Sequence, residues 1–121
     1  MEIKDIVQKA HDNAVKHGFW DPPLPFGTAI ALIHSELSEA LEEERAENPV
    51  HYYPCNAGGL CVDDRNEEGV TCGSRIYNPE HPDAPCSARS KKPEGVAVEL
   101  ADAVIRIADL CGHLGIDLDA V

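Results

Sequence analysis

Apolar residues recur at helical spacing in three stretches of the chain. In the first, from about Ile3 to His17, Ile3, Ile6, Val7, Ala10, Ala14 and Val15 share one side of a helix, and Gly18 supplies a stop. Pro22, Pro23 and Pro25 exclude regular structure from Phe19 to Phe26. In the second, from about Thr28 to Glu47, Ile30, Ile33, Leu37 and Leu41 form the apolar stripe. Thr28 suits its N-cap, and Pro49 ends it. The third runs from about Glu94 to His113, with Pro93 and Glu94 placed for its first turn and Gly112 and Gly115 at its end. Ile116 to Val121 reads as the start of a further helix.

Between the second and third helices the pattern breaks down. Residues 48–93 hold six of the nine prolines, four of the nine glycines, four of the five cysteines and five of the ten basic residues. No helical period survives there, and the segment is too long for a routine connection. The chain therefore reads as one all-α domain, residues 1–121, interrupted by an irregular Cys-rich insert at 48–93. Three helices do not readily cover the apolar flanks of the third, so pairing of protomers is expected to complete the bundle, as a homodimer or a dimer of dimers.

Composition narrows the function. Twenty-two acidic and ten basic residues give a formal net charge of −12. Such a surface repels nucleic acid and anionic membranes, and handling phosphates on it requires metal cations. The N-terminus lacks the pattern of a secretory signal, and no apolar run approaches a membrane span, so a cytoplasmic location is expected.

The acids are not evenly spread. Glu36, Glu39 and Glu43 lie on one ridge of the second helix, the first two roughly 60° apart. From Glu36 to Glu44 there is no base to relieve their repulsion. On the third helix Glu99, Asp102, Arg106 and Asp109 fall in a stripe roughly 80° wide, cut into a helix that is otherwise apolar nearly all round. Carboxylates paired in that setting call for a cation. An oxygen-only donor set favours Mg²⁺, or Mn²⁺, over zinc or iron. A di-iron bundle would need Glu-x-x-His pairs, and His34 and His113 stand at the wrong offsets. Arg106 is placed either to touch phosphate or to pair with Asp102 one turn away, and the pairing is the favoured reading.

Glu36-Leu37-Ser38-Glu39 followed by Glu99-Leu100-Ala101-Asp102 resembles the E-x-x-E and E-x-x-D pattern of MazG-type nucleotide pyrophosphohydrolases. The flanks Gly18-Phe19-Trp20-Asp21, Pro93-Glu94-Gly95 and Cys111-Gly112-His113-Leu114-Gly115-Ile116-Asp117 are similar to that family as well. The resemblance covers roughly residues 1–48 and 92–121. The insert makes the gap between the two motifs longer than is usual in the family. Relatives continue past this point into a further helix with a basic tail, so a segment beyond Val121 is expected.

The resemblance implies an all-α bundle of MazG type that hydrolyses (deoxy)nucleoside triphosphates to monophosphate and pyrophosphate with Mg²⁺. Glu36, Glu39, Glu99 and Asp102 are then the metal ligands and catalytic carboxylates, directly or through water, and one glutamate accepts the proton of the attacking water. Trp20 suits either stacking on a nucleobase or a core-edge or subunit contact. Lys16 is placed to touch phosphate. Cys55, Cys61, Cys72 and Cys86, with His51 and His81, are a candidate zinc set but lack the close pairing of a structural site, and free thiols or disulfides formed on isolation are the alternatives. Cys111 reads as a small core residue. The alternative to an enzyme is a catalytically inactive metal-binding or interaction module of the same fold.

Overall fold

The computed structural model describes residues 1–52 and 92–121, together with the backbone of residues 60–61 and 70–71. The elements are α1 (Ile3–Lys16), α2 (Phe26–Arg45), β1 (Leu60–Cys61), β2 (Val70–Thr71) and α3 (Val96–Leu114). The described residues are mostly helical, as expected of an all-α protein. Inside the insert, where the sequence offered no regular element, β1 and β2 pair antiparallel with Leu60 opposite Thr71. Among the described residues no helix is long and apolar enough to cross a membrane. The candidate zinc ligands Cys55, Cys72, Cys86 and His81 lie outside the described residues, as does the side chain of Cys61.

Two compact units are formed, Met1–Glu39 with Glu99–Val121, and Ala40–Val98. In the first, α1 opens with the Glu2 backbone N–H donating to Asp5 Oδ2 at 2.9 Å. The helix closes where Gly18 turns left-handed at φ 80°. Phe19 N–H then reaches back to the Ala14 carbonyl and Gly18 N–H to that of Val15, satisfying carbonyls the helix leaves open. That cap directs Phe19 and Trp20 away from the helix axis. Helix α2 starts two residues before the expected Thr28: the Pro25 carbonyl accepts the Ala29 N–H, so Phe26 is already helical and Thr28 lies inside the first turn. A proline just ahead of a helix forfeits no hydrogen bond, because its missing N–H would have gone unpaired.

The buried side chains of this unit are Ala29, Glu36, Ala103, Ala108, Leu110 and Cys111. On α2 the inward face thus carries alanine and glutamate, while Leu37, from the expected apolar stripe, is 48% exposed. Leu100, Val104, Ile105 and Ile107 on α3 are likewise 43–55% exposed in the single chain. Gly112 lies against His11 of α1, where an added Cβ would stand 2.5 Å from the His11 Cβ. The tail ends in a turn whose Asp117 side chain accepts the backbone N–H groups of Asp119 and Ala120, and Asp119 Oδ2 accepts the Lys4 N–H at 3.1 Å.

In the second unit α2 ends with Glu47 left-handed at φ 56°, a conformation usually given to glycine, and Asn48 N–H returns to the Glu43 carbonyl. Tyr52, 1% exposed, donates its hydroxyl to Glu43 at 2.9 Å. Burial first, then the Glu43 and Glu94 carboxylates, pushes that phenol up to about 12. Tyr52 also forms an antiparallel bridge with Glu94 through backbone bonds of 3.0 and 2.8 Å. This bridge corrects the expected start of α3. The Glu94 backbone is committed to Tyr52, and Gly95 at φ 116° turns the chain where a side chain would strike the Val50 carbonyl, so the helix begins at Val96.

The two glycines on helices predict opposite outcomes. Gly112→Ala gains helix propensity of about 1 kcal/mol but forces α1 and α3 apart, at an overpacking cost of about 1–3 kcal/mol. Gly27, in the first turn of α2, has nothing within 4 Å of an added Cβ. Thermal unfolding is expected to show Gly27→Ala stabilised by about 0.5–1 kcal/mol and Gly112→Ala destabilised.

Candidate functional site

The first unit brings the polar stripe of α3 against α2. Arg106 Nε donates to Glu36 Oε1 at 2.5 Å, and Glu36 is only 7% exposed. The expected Arg106–Asp102 pair within α3 is therefore replaced by a pair between helices. A carboxylate this buried needs a counter-charge more than the less buried Asp102 does. Burial pushes the Glu36 carboxyl up, but the hydrogen bond and charge of Arg106, with hydrogen bonds from Glu39 and Glu99, hold it below its ordinary value.

Glu99 and Asp102 precede Arg106 on the same stripe, so fastening Arg106 to Glu36 carries both toward α2. Carboxylate oxygens of Glu36, Glu99 and Asp102 lie within 4.8 Å of one another. Glu39 stands outside that trio, exposed, with its carboxyl hydrogen-bonded to Glu99. The four carboxylates predicted from the sequence are thus neighbours, and they face one guanidinium. The deficit of positive charge registers on Glu99. Burial, then Glu39 and Glu36, raise its carboxyl from 4.5 to about 7. Three carboxylate oxygens gathered within 4.8 Å form a hard-oxygen group that could hold a metal ion.

Beside the trio lies a cavity of about 250 Å³, lined by Ala10, Asn13, Ala14, Phe19 and Ile105 and by the charged Glu36, Asp102, Arg106 and Asp109. Asp109 organises one side of it. Its Oδ1 accepts from Trp20 Nε1 and meets His11 Nδ1, each at 2.9 Å. The Trp20 ring stacks on His113 with centroids 3.8 Å apart and planes 4° from parallel. One face of Trp20 is therefore covered and its N–H committed. Lys16 is exposed in the last turn of α1, and neither it nor Trp20 is among the residues lining the cavity. His11 was missed from the sequence. Its signal was a polar residue inside the Val7, Ala10, Ala14 stripe, matched by Asp109 on the acidic stripe of α3.

Comparison with protein-family models, with curated proteins and with solved structures finds no match in any of the three.

The raised Glu99 gives a pH dependence with a definite sign. Its folded value lies above the unfolded one, so the folded chain binds more protons between pH 4.5 and about 7. The associated stability is full below pH 4.5 and is lost as pH rises through 7. Chelator-treated protein is expected to lose thermal stability across that window, and Glu99→Gln to flatten the slope. Carboxyl ¹³C NMR should place the Glu99 midpoint near 7. A midpoint at the ordinary value would refute the crowding described.

Proposed function

We propose that this chain is a Mg²⁺-dependent nucleoside triphosphate pyrophosphohydrolase of MazG type. The observation that carries the reading is the convergence of Glu36, Glu99 and Asp102 from two helices, with Glu39 against Glu99 and one guanidinium among them. Glu36, Glu99 and Asp102 hold the ion, with Mn²⁺ as the alternative. When bound, such an ion neutralises phosphate oxygens and acidifies water. Glu39, outside the trio and the most exposed of the four, accepts the proton of the attacking water. Water adds to the α-phosphorus, the bond from that phosphorus to the oxygen bridging to the β-phosphate breaks, and pyrophosphate leaves.

The apolar and polar walls of the adjacent cavity suit the nucleoside. Trp20, pinned by Asp109 and His113, supports that wall from behind, and Lys16 approaches phosphate only from outside. The half-exposed Leu37, Leu100, Val104 and Ile107 are the surface on which protomers pair, giving a homodimer or dimer of dimers. Sedimentation velocity is expected to show a dimer or larger species, and a stable monomer would overturn the pairing.

The test of the activity is pyrophosphate release from a panel of canonical and modified (d)NTPs with Mg²⁺. Wild type is expected to turn over at least one of them. Glu39→Gln should bind Mg²⁺ but lose turnover by a factor of about 10²–10⁴. Folded, Mg²⁺-loaded protein that releases no pyrophosphate from any triphosphate would leave a catalytically inactive metal-binding module.

A further inference from the structure

Arg106 has more than one claim on it. It is the only basic side chain among the described residues lining the cavity, and every other charged group there is a carboxylate. It nonetheless faces Glu36, the most buried of the proposed metal ligands, through an Nε–Oε1 bond of 2.5 Å. Among the described residues lining the cavity, this guanidinium is the cation that faces the Glu36 carboxylate.

A divalent ion among the oxygens of Glu36, Glu99 and Asp102 changes that arrangement. The ion competes for the Glu36 carboxylate and repels a guanidinium a few ångströms away in a poorly solvated setting. The ion draws charge from the carboxylate whose Oε1 holds Arg106, so that bond weakens, and the side chain remains anchored on α3 at the cavity wall. The other anions on its own stripe are partly engaged, leaving Asp109 Oδ2 as the competing acceptor within the chain. Asp102, four residues earlier on the helix, is a ligand of the same ion, and Asp109, three residues later, already serves Trp20 and His11 through one oxygen. A guanidinium is suited to bind a phosphate in forked fashion.

We infer that Arg106 exchanges partners, from Glu36 in the metal-free chain to a phosphate of the incoming polyphosphate once a divalent cation has taken Glu36. This inference rests on the metal-site reading given above. Arg106 is accordingly both a competitor of the cation and the residue that recruits the anionic part of the substrate. It explains how a chain of net charge −12 accepts a polyanion beside four carboxylates. The base that would repel the metal moves out and becomes the base that attracts the substrate.

The protein labelled with ¹⁵N and ¹³C provides the deciding measurement, because the Arg106 Nε–H reports its partner directly and the carboxyl carbons report the ion. In chelator-treated protein this resonance is expected at a hydrogen-bonded position with slow exchange. Saturating Mg²⁺ should move it toward the position of exposed arginines, and inorganic tripolyphosphate with excess Mg²⁺ should shift it again. Mg²⁺ binding that perturbs the Glu99 and Asp102 carboxyl carbons but leaves the Arg106 signal in place would overturn the exchange and spare the metal site. Failure of Mg²⁺ to perturb any of the carboxyl groups would overturn both. No second shift with tripolyphosphate would remove the substrate role.

Arg106→Gln adds a sign test independent of turnover. Its Mn²⁺ affinity, read by electron paramagnetic resonance, should rise on the order of tenfold, the worth of one charge-assisted hydrogen bond, while its tripolyphosphate affinity in excess Mg²⁺ falls by a similar factor. A change in the same direction for both ligands, or no change in either, would overturn the inference.

Discussion

Glu36 is a carboxylate carried into the interior of a helical unit, and the arrangement around it depends on the guanidinium that meets it there. An ion buried to this degree is costly without a partner. Arg106 supplies that partner from α3, and in doing so it sets the rotation of α3 toward α2. Glu99 and Asp102 share the stripe of Arg106, two turns and one turn earlier. Once Arg106 is fastened, they are brought to Glu36 whether or not their own charges favour the approach. Burial first, and then the neighbouring Glu39 and Glu36 carboxylates, raise the Glu99 carboxyl to about 7. The stripe continues to Asp109, which ties α3 to α1 through His11 and to the Phe19–Trp20 segment through the indole. Gly112 allows the approach by presenting no side chain to His11. Four polar residues spaced along three turns of one helix therefore carry its polar contacts within this unit.

Much of this was legible in the sequence because helical periodicity is a local property. The three helices follow from apolar spacing, and both carboxylate pairs follow from the same arithmetic applied to acids. Several features were not legible, each for a reason that lies outside the helix concerned. The i, i+4 rule pairs Arg106 with Asp102 because it considers only α3, and the burial of Glu36 on another helix decides the matter. The apolar stripe of α2 points to Leu37 as core, whereas the single chain buries Ala29 and Glu36 and leaves Leu37 half out. Hydrophobicity alone does not tell which apolar face meets the rest of the same chain. First-turn preferences favour an acid and so point to Glu94 as the start of α3. The backbone of Glu94 is instead bridged to Tyr52, a partner forty-two residues away that no local rule names. Glu47 ends α2 in a conformation that a search for glycine overlooks.

An acidic helix face usually means a solvated one, and the structure separates the two cases. Carboxylates that only solubilise a helix stay exposed, keep apart and ionise at ordinary values. Here one is buried against a guanidinium, three bring oxygens within 4.8 Å, and one holds a proton far above the usual carboxylate range. Those features describe a cluster that folding assembles at some electrostatic cost. Arg106 and the Glu99 proton are the two positive charges that make the cost tolerable before any ligand arrives. Both are replaceable, since a proton dissociates and an arginine side chain rotates, whereas a divalent ion supplies both charges at one point. On the proposed reading, the metal-free chain is therefore already close to the geometry it needs. Binding the ion then consists of exchanging cations on a fixed set of oxygens, with little backbone rearrangement, and the displaced guanidinium is left beside the cavity where a phosphate would meet it.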